Sequence, residues 1–130
     1  MKLIIILLLS LFSNIAEARD LKDWTPAEKL EFSLFATAAY MDYKQSAWAM
    51  KYKAPDGTYV YYESNPVYGK RPSKETLMVG QIISLAAYYY LISEYGDNKT
   101  ITLMRRSALI AKIGVVVHND SIGISFSKAW

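Results

Sequence analysis

The sequence contains no cysteine and a single histidine among its 130 residues. The lack of cysteine excludes a disulfide framework, and with only one histidine a zinc or haem site has almost no ligands to draw on. We therefore expect no metal and no cofactor. Charge of one sign is also scarce, because the net charge is only +3 and the basic residues are scattered. A nucleic-acid-binding protein needs a clustered basic face, so that class is excluded as well.

Apolar residues and tyrosine are abundant. Apolar residues make up 52% of the chain, and 11 residues are tyrosines. A chain of this length forms at most one domain, and such an apolar share lies near the upper edge for soluble domains. Because tyrosine combines an apolar body with a polar tip, its excess suits either a membrane–water boundary or a small polar-rimmed core.

Residues 1–18 have the features of a secretory signal peptide. An unbroken apolar run from Leu3 to Leu9 follows Met1-Lys2, and Ala16-Glu17-Ala18 supplies an Ala-x-Ala cleavage pattern. The alternative is an uncleaved anchor, although the apolar run is short for a membrane span. We expect cleavage after Ala18 and a single helical domain over residues 19–130, embedded in a membrane or associated with one.

The first helix is predicted to begin at Pro26, with Thr25 as its N-cap and Glu28 completing a capping box, and to end near Met50. Its apolar arc includes Leu30, Leu34, Phe35, Ala38, Ala39, Met41, Trp48 and Ala49.

Polar residues interrupt that arc. Asp42 and Gln45 fall inside it, and Ser46 lies four residues after Asp42. A carboxylate on an apolar face has to be paired, hydrogen-bonded or protonated. The group is either a polar site inside a helical bundle or a structural hydrogen-bond network, and we favour the network.

The connection to the next helix falls into two parts. Residues 51–62 are compatible with a short β-hairpin and equally with an irregular loop. Residues 63–73 are predicted to form a shaped turn, in which Pro66 restrains Asn65 and Gly69 supplies a positive φ. We expect Glu63 and Asn65 to hydrogen-bond backbone groups at this turn and at the end of the first helix. We also expect Glu63 to face Arg105 or Lys112.

The second helix is predicted to follow Ser73, and residues 76–93 carry no charge, which is close to the minimum for a membrane span. Gly80, Ser84 and Ala87 form a line of small residues that would let another helix approach closely. Gly96 is predicted as the C-cap.

The third helix is predicted over residues 100–117, with Arg105 and Lys112 on one face as counter-charges for Asp42 or Glu63, or else solvated. We expect the helix to be followed by a polar stop at residues 118–120. A short strand or an extended tail should then cover residues 121–127. The sequence therefore predicts a mainly α fold, a small three-helix bundle.

Charge also bears on topology. Residues 51–74 hold five basic and two acidic residues, whereas residues 94–98 hold only acidic ones. If the helices span a membrane, the longer connection is cytoplasmic. The competing arrangement is a periplasmic or extracellular three-helix domain docked on the membrane surface.

Three short motifs resemble a family of small exported or membrane proteins that phages and bacterial genomes encode. The motifs are Asp42-x-x-Gln45-Ser46, then Glu63-x-Asn65-Pro66-x-x-Gly69-x-x-Pro72-Ser73, and finally Asn119-x-x-Ile122-Gly123. The family usually has threonine at the position of Ser46 and a shorter link before Glu63. The resemblance implies export and a helical build, and it implies no assigned activity.

Two functional classes follow. The first is an exported accessory or interaction protein of the cell envelope, in the inner membrane or the periplasm, whose partners are the membrane and another protein. The second is a small membrane enzyme that uses Asp42 and Glu63, and its catalysis would gain support if His118 converged with them. We favour the first class, because nothing in the sequence places these three residues together.

Overall fold

A computed structural model describes residues 19–125. A 3-10 turn, Leu21–Asp23, precedes three helices: α1 (Pro26–Ala49), α2 (Lys74–Tyr95) and α3 (Lys99–Ser121). All three helices contact one another. Side-chain contacts from α1 run in opposite order along α2 and in the same order along α3, so α1 is antiparallel to α2 and parallel to α3. The predicted mainly α three-helix bundle is confirmed.

Local capping chemistry sets the helix starts. Thr25 and Glu28 form the predicted capping box at α1, Ser73 caps α2, and Asn98 caps α3. Gly96 is the C-cap of α2, but its φ of −55° is right-handed, so positive φ is not the reason for glycine here. A Cβ at this position would instead overlap the Arg19 guanidinium. Glycine is therefore required for the close approach of that side chain.

The third helix is longer than predicted. Residues 118–120 continue α3 to Ser121, Ile122 is the C-cap, and the chain then leaves the helix at Gly123, whose φ is +92°. The N–H of Ile124 donates to the Asn119 carbonyl at 2.8 Å, a bond that closes the helix end. The predicted strand is wrong as far as residue 125, because this segment completes the helix terminus and has no strand beside it; residues 126 and 127 lie outside the described residues.

The predicted hairpin is reduced to one isolated antiparallel bridge between Lys53 and Tyr59. The rings of this segment stack on other side chains, as Tyr52 does on Trp48 with centroids 4.8 Å apart. Irregular structure, the other reading of the sequence, is what forms over residues 51–62.

The interior of the bundle is unusually polar. One small apolar cluster contains Trp24, Phe35, Tyr88, Ile92 and Leu109. Seven polar or charged residues are also buried: Glu28, Glu31, Asp42, Gln45, Gln81, Ser93 and Arg105.

The predicted apolar arc of α1 is partly wrong. Leu30 and Leu34 are 61% and 45% exposed. Both leucines point outward because Glu31 and Asp42 turn inward to meet cations from α3.

Candidate functional site

Four polar side chains meet between the three helices, and we call them the Asp42 cluster: Asp42, Ser46, Gln81 and Lys112. The Lys112 ammonium donates to Asp42 Oδ2 at 2.7 Å, and Gln81 Nε2 donates to the same oxygen at 2.9 Å. Ser46 Oγ donates to Asp42 Oδ1 at 3.4 Å. Lys112 is thus the counter-charge of Asp42, one of the two that the sequence offered, and the cluster ties α1 to both other helices.

A second polar contact lies one turn further along α1. Gln45 is fully buried and donates through Nε2 to the Val116 carbonyl at 3.1 Å. Asn119 Nδ2 donates to Gln45 Oε1 at 3.4 Å. Asn119 reaches this position because α3 continues through the segment that was predicted to be a stop.

The turn over residues 63–73 has the local hydrogen bonds that were predicted. Glu63 Oε1 accepts from the Asn65 N–H at 2.8 Å, and Asn65 Oδ1 accepts from the Val67 N–H at 3.1 Å. Pro66 is exposed in the turn, and Gly69 has a φ of +76°. The side chains of Glu63 and Asn65 bond within the turn, and Arg71 instead joins it to the end of α1, donating to the Met50 carbonyl at 3.0 Å.

The expected pairing of Glu63 with Arg105 or Lys112 is wrong, because each cation is engaged by another carboxylate. Arg105 is 2% exposed, and its Nε lies 3.4 Å from Glu31 Oε1. The Tyr88 hydroxyl donates to the same Glu31 oxygen at 2.9 Å. Arg106 Nε lies 3.3 Å from Glu31 Oε2. We call this second group the Glu31 cluster: Glu31, Tyr88, Arg105 and Arg106.

Glu31 was missing from the predicted site residues, although the sequence carries a usable signal. Glu31 precedes Asp42 by eleven residues, which is close to three full helical turns. The two carboxylates therefore share one face of α1, and a face that buries one of them is expected to bury the other.

A small cavity of about 80 Å³ opens beside the Asp42 cluster. It lies where the ends of α1 and α3 meet the turn, and residues of all three motifs line it. Its polar lining residues are Asp42, Ser46, Glu63, Ser64 and Asn119. His118 is exposed and does not line it. Asp42 and Glu63 therefore converge on one space, and the histidine does not join them.

Tyr68 seats the turn against α2. A Cβ on Gly80 would overlap the Tyr68 hydroxyl, so glycine leaves room for a loop tyrosine and not for the neighbouring helix that we predicted. Burial raises the pKa of Tyr68, and the negative charges of Asp42 and Glu63 raise it further. The Tyr68 hydroxyl is thus held neutral close to the carboxylates.

The side chains at this site can form hydrogen bonds and transfer protons. Two carboxylates and one lysine leave one negative charge in excess around the cavity. Within residues 19–125, no three His, Cys, Asp or Glu side chains are grouped so that they could hold a metal ion.

Comparisons with protein-family models, with curated proteins and with solved structures find no match to this chain.

Proposed function

We propose that this chain is an exported accessory protein of the cell envelope, embedded in the membrane as a three-helix bundle and acting through contacts with other envelope components. The observation that carries the proposal is the distribution of polarity, with charged and amide side chains inside the bundle and apolar side chains outside. The resemblance to small phage and bacterial membrane proteins supports the same class.

The outer surface of the bundle is rich in large apolar side chains. The exposed ones on the helices include Leu30, Leu34, Met78, Val79, Ile82, Ile83, Leu103, Met104, Ile110, Ile113, Val115 and Val117. A water-soluble bundle buries such residues preferentially, whereas a bundle in lipid exposes them without cost.

Helix lengths fit a bilayer. The helices have 24, 22 and 23 residues, hence about 33 to 36 Å at 1.5 Å per residue, against a hydrocarbon core of about 30 Å. Among the described residues, only α2 is apolar enough throughout to qualify as a span by composition.

The buried carboxylates of α1 are compatible with embedding because they face cations of α3. The carboxylates of Glu31 and Asp42 face Arg105 and Lys112 inside the bundle. Ionisable residues within membrane-spanning segments typically face the bundle interior and pair with one another. Arg106 is 60% exposed, and its guanidinium is directed to Glu31.

The leader and the basic residues between α1 and α2 favour the same orientation. A cleaved leader would leave the start of α1 outside the cytoplasm, so that α1 crosses inward. The four basic residues of the connection between α1 and α2, with Lys74 at the start of α2, favour a cytoplasmic position for that connection. The short turn between α2 and α3 would then lie outside.

The lack of cysteine makes this topology directly testable. Asp56→Cys places a single thiol in the long connection, and Asp97→Cys places one in the opposite turn. We expect carbonate washing to leave both proteins in the membrane fraction. A membrane-impermeant thiol reagent should label Asp97→Cys in intact cells and Asp56→Cys only after lysis. Release of the protein by carbonate would favour the surface-docked domain, and external labelling of both thiols would refute the spanning bundle.

A membrane enzyme is the second candidate, and the shared cavity of Asp42 and Glu63 favours it. In that case Glu63 would be the proton-transfer group, since Asp42 is already held by Lys112, Gln81 and Ser46. Water-soluble carbodiimide, followed by peptide mass mapping, should then modify Glu63 and leave Glu63→Gln unmodified at that position. A Glu63 carboxyl that never reacts would remove this candidate.

A further inference from the structure

A basic groove of about 380 Å³ lies at the end of the bundle where α1 stops and α2 starts. Lys51, Arg71 and Lys74 line it, together with one carboxylate, Glu75, and the ring of Tyr59. Three cations and one anion leave an excess positive charge there. The opposite end of the bundle differs, because the turn after α2 carries acidic residues over positions 94–98.

Arg71 forms a rigid part of this groove. Its guanidinium donates to the Met50 carbonyl at 3.0 Å and to the Tyr61 carbonyl at 2.9 Å. The guanidinium carbon also lies 3.4 Å from the centroid of the Tyr59 ring and 4.7 Å from that of Tyr62. Its position is thus fixed by the backbone and by cation–π contacts.

Two lysines remain able to engage a ligand. Lys51 and Lys74 are both exposed at the groove. The ammonium of Lys74 is 3.9 Å from the Glu75 carboxylate, and both side chains are more than half exposed, so this ion pair is weak. A phosphate group that accepts hydrogen bonds from the lysine ammonium groups would replace that exposed contact with shorter, charge-assisted ones.

We propose that this groove binds the phosphodiester headgroup of an anionic phospholipid, an inference that rests on the proposed membrane location. The exposed ring of Tyr59 lines the groove, and the exposed ring of Tyr62 contacts the Arg71 guanidinium beside it. Tyrosine is enriched at the level of lipid headgroups. Immediately beyond it on α2, Met78, Val79 and Ile82 are exposed. A headgroup in the groove would therefore have an apolar helix surface beside it for its acyl chains.

The test uses the full chain in nanodiscs of phosphatidylcholine with a minor share of phosphatidylglycerol, and native mass spectrometry to count retained phosphatidylglycerol. The variant is Lys51→Gln/Lys74→Gln. The matched control is Lys22→Gln/Lys99→Gln, which removes two charges at the other end and leaves the net charge equal. Each basic residue near an anionic surface contributes about a fivefold preference, so we expect at least a tenfold loss of retention in the groove variant and little change in the control.

Three results would overturn the inference. They are an equal loss in both double variants, no loss in either, or displacement of the lipid by millimolar inorganic phosphate, which would identify a site for a soluble anion. Failure of the membrane proposal is recognised separately, because carbonate would then release the unaltered protein regardless of lipid composition. An embedded protein with no preference for phosphatidylglycerol would contradict the groove alone.

Discussion

The Glu31 and Asp42 clusters use the same pairing in different surroundings. In both, a carboxylate on α1 meets a cation from α3 and a polar group from α2. Arg105 is sealed at 2% exposure, whereas the Lys112 side chain is 17% exposed. Glu31 and Arg106 border a surface depression whose other lining residues are apolar, whereas Asp42 borders a cavity with several polar lining residues. A ligand or a proton acceptor beside Asp42 therefore finds further hydrogen-bonding groups, and one beside Glu31 does not. This difference identifies the Asp42 cluster, and not the Glu31 cluster, as the candidate site.

Breaking the Glu31 cluster should have the largest effect. Glu31→Leu leaves the buried Arg105 guanidinium without a counter-charge, and we expect the free energy of unfolding to fall by about 3–5 kcal/mol. Denaturation of the detergent-solubilised protein, followed by circular dichroism, measures this loss. Asp20→Leu is the control, because its ion pair with Lys22 is mostly exposed and contributes under about 1 kcal/mol. A similar loss in both variants would show that the Glu31 pair is no stronger than a surface pair.

Breaking the Asp42 cluster should lower the free energy of unfolding by a smaller amount. Asp42→Leu leaves Lys112 unpaired but partly exposed, so we expect a loss of about 2–3 kcal/mol in the same assay. The double variant Asp42→Leu/Lys112→Leu should recover part of this loss, because no buried charge remains. Thr37→Leu, exposed on the same helix, is the control. A double variant less stable than Asp42→Leu alone would indicate that Lys112 has another essential partner.

The smallest effect is expected at Gly80, where Tyr68 of the turn packs against α2. Gly80→Ala displaces the Tyr68 hydroxyl and should lower the free energy of unfolding by about 1 kcal/mol, with the pKa of Tyr68 falling toward its ordinary value. Titration of ring-labelled tyrosine by NMR reports that pKa. Gly114→Ala is the matched control: no atom lies within 4 Å of its added Cβ, so it should stabilise α3 by roughly 0.5–1 kcal/mol. An unchanged Tyr68 pKa in Gly80→Ala would show that the turn does not depend on this contact.

The sequence predicts the parts of this fold that depend on neighbouring residues. Capping at Thr25 and Ser73 and the positive φ of Gly69 are local, and each was predictable from a few side chains. The burial of Asp42 followed from helical periodicity, which is local as well.

Residues far apart in the chain decided the rest. The choice of Glu31 over Glu63 as the partner of Arg105 depends on how α1 and α3 align, and no pattern within either helix determines this. The side chain that occupies the space beside Gly80 is Tyr68, which comes from a loop. The prediction from helix packing had placed a neighbouring helix there. The exposure of Leu30 has the same origin. Glu31 faces α3, and this orientation of α1 places the neighbouring Leu30 on the surface.

The parallel pairing of α1 with α3 has a consequence for biosynthesis. Lys112 follows Asp42 by 70 residues, so ribosomes adding ~5–20 residues per second complete α1 roughly 4 to 14 s before its counter-charges exist. During that interval the nascent α1 carries two carboxylates without their counter-charges, and in the proposed membrane bundle such a helix is costly to hold in lipid. Under that proposal, completion of α3 is the event that fixes α1 in the bilayer, and a chain interrupted before Lys112 lacks the cation that compensates Asp42.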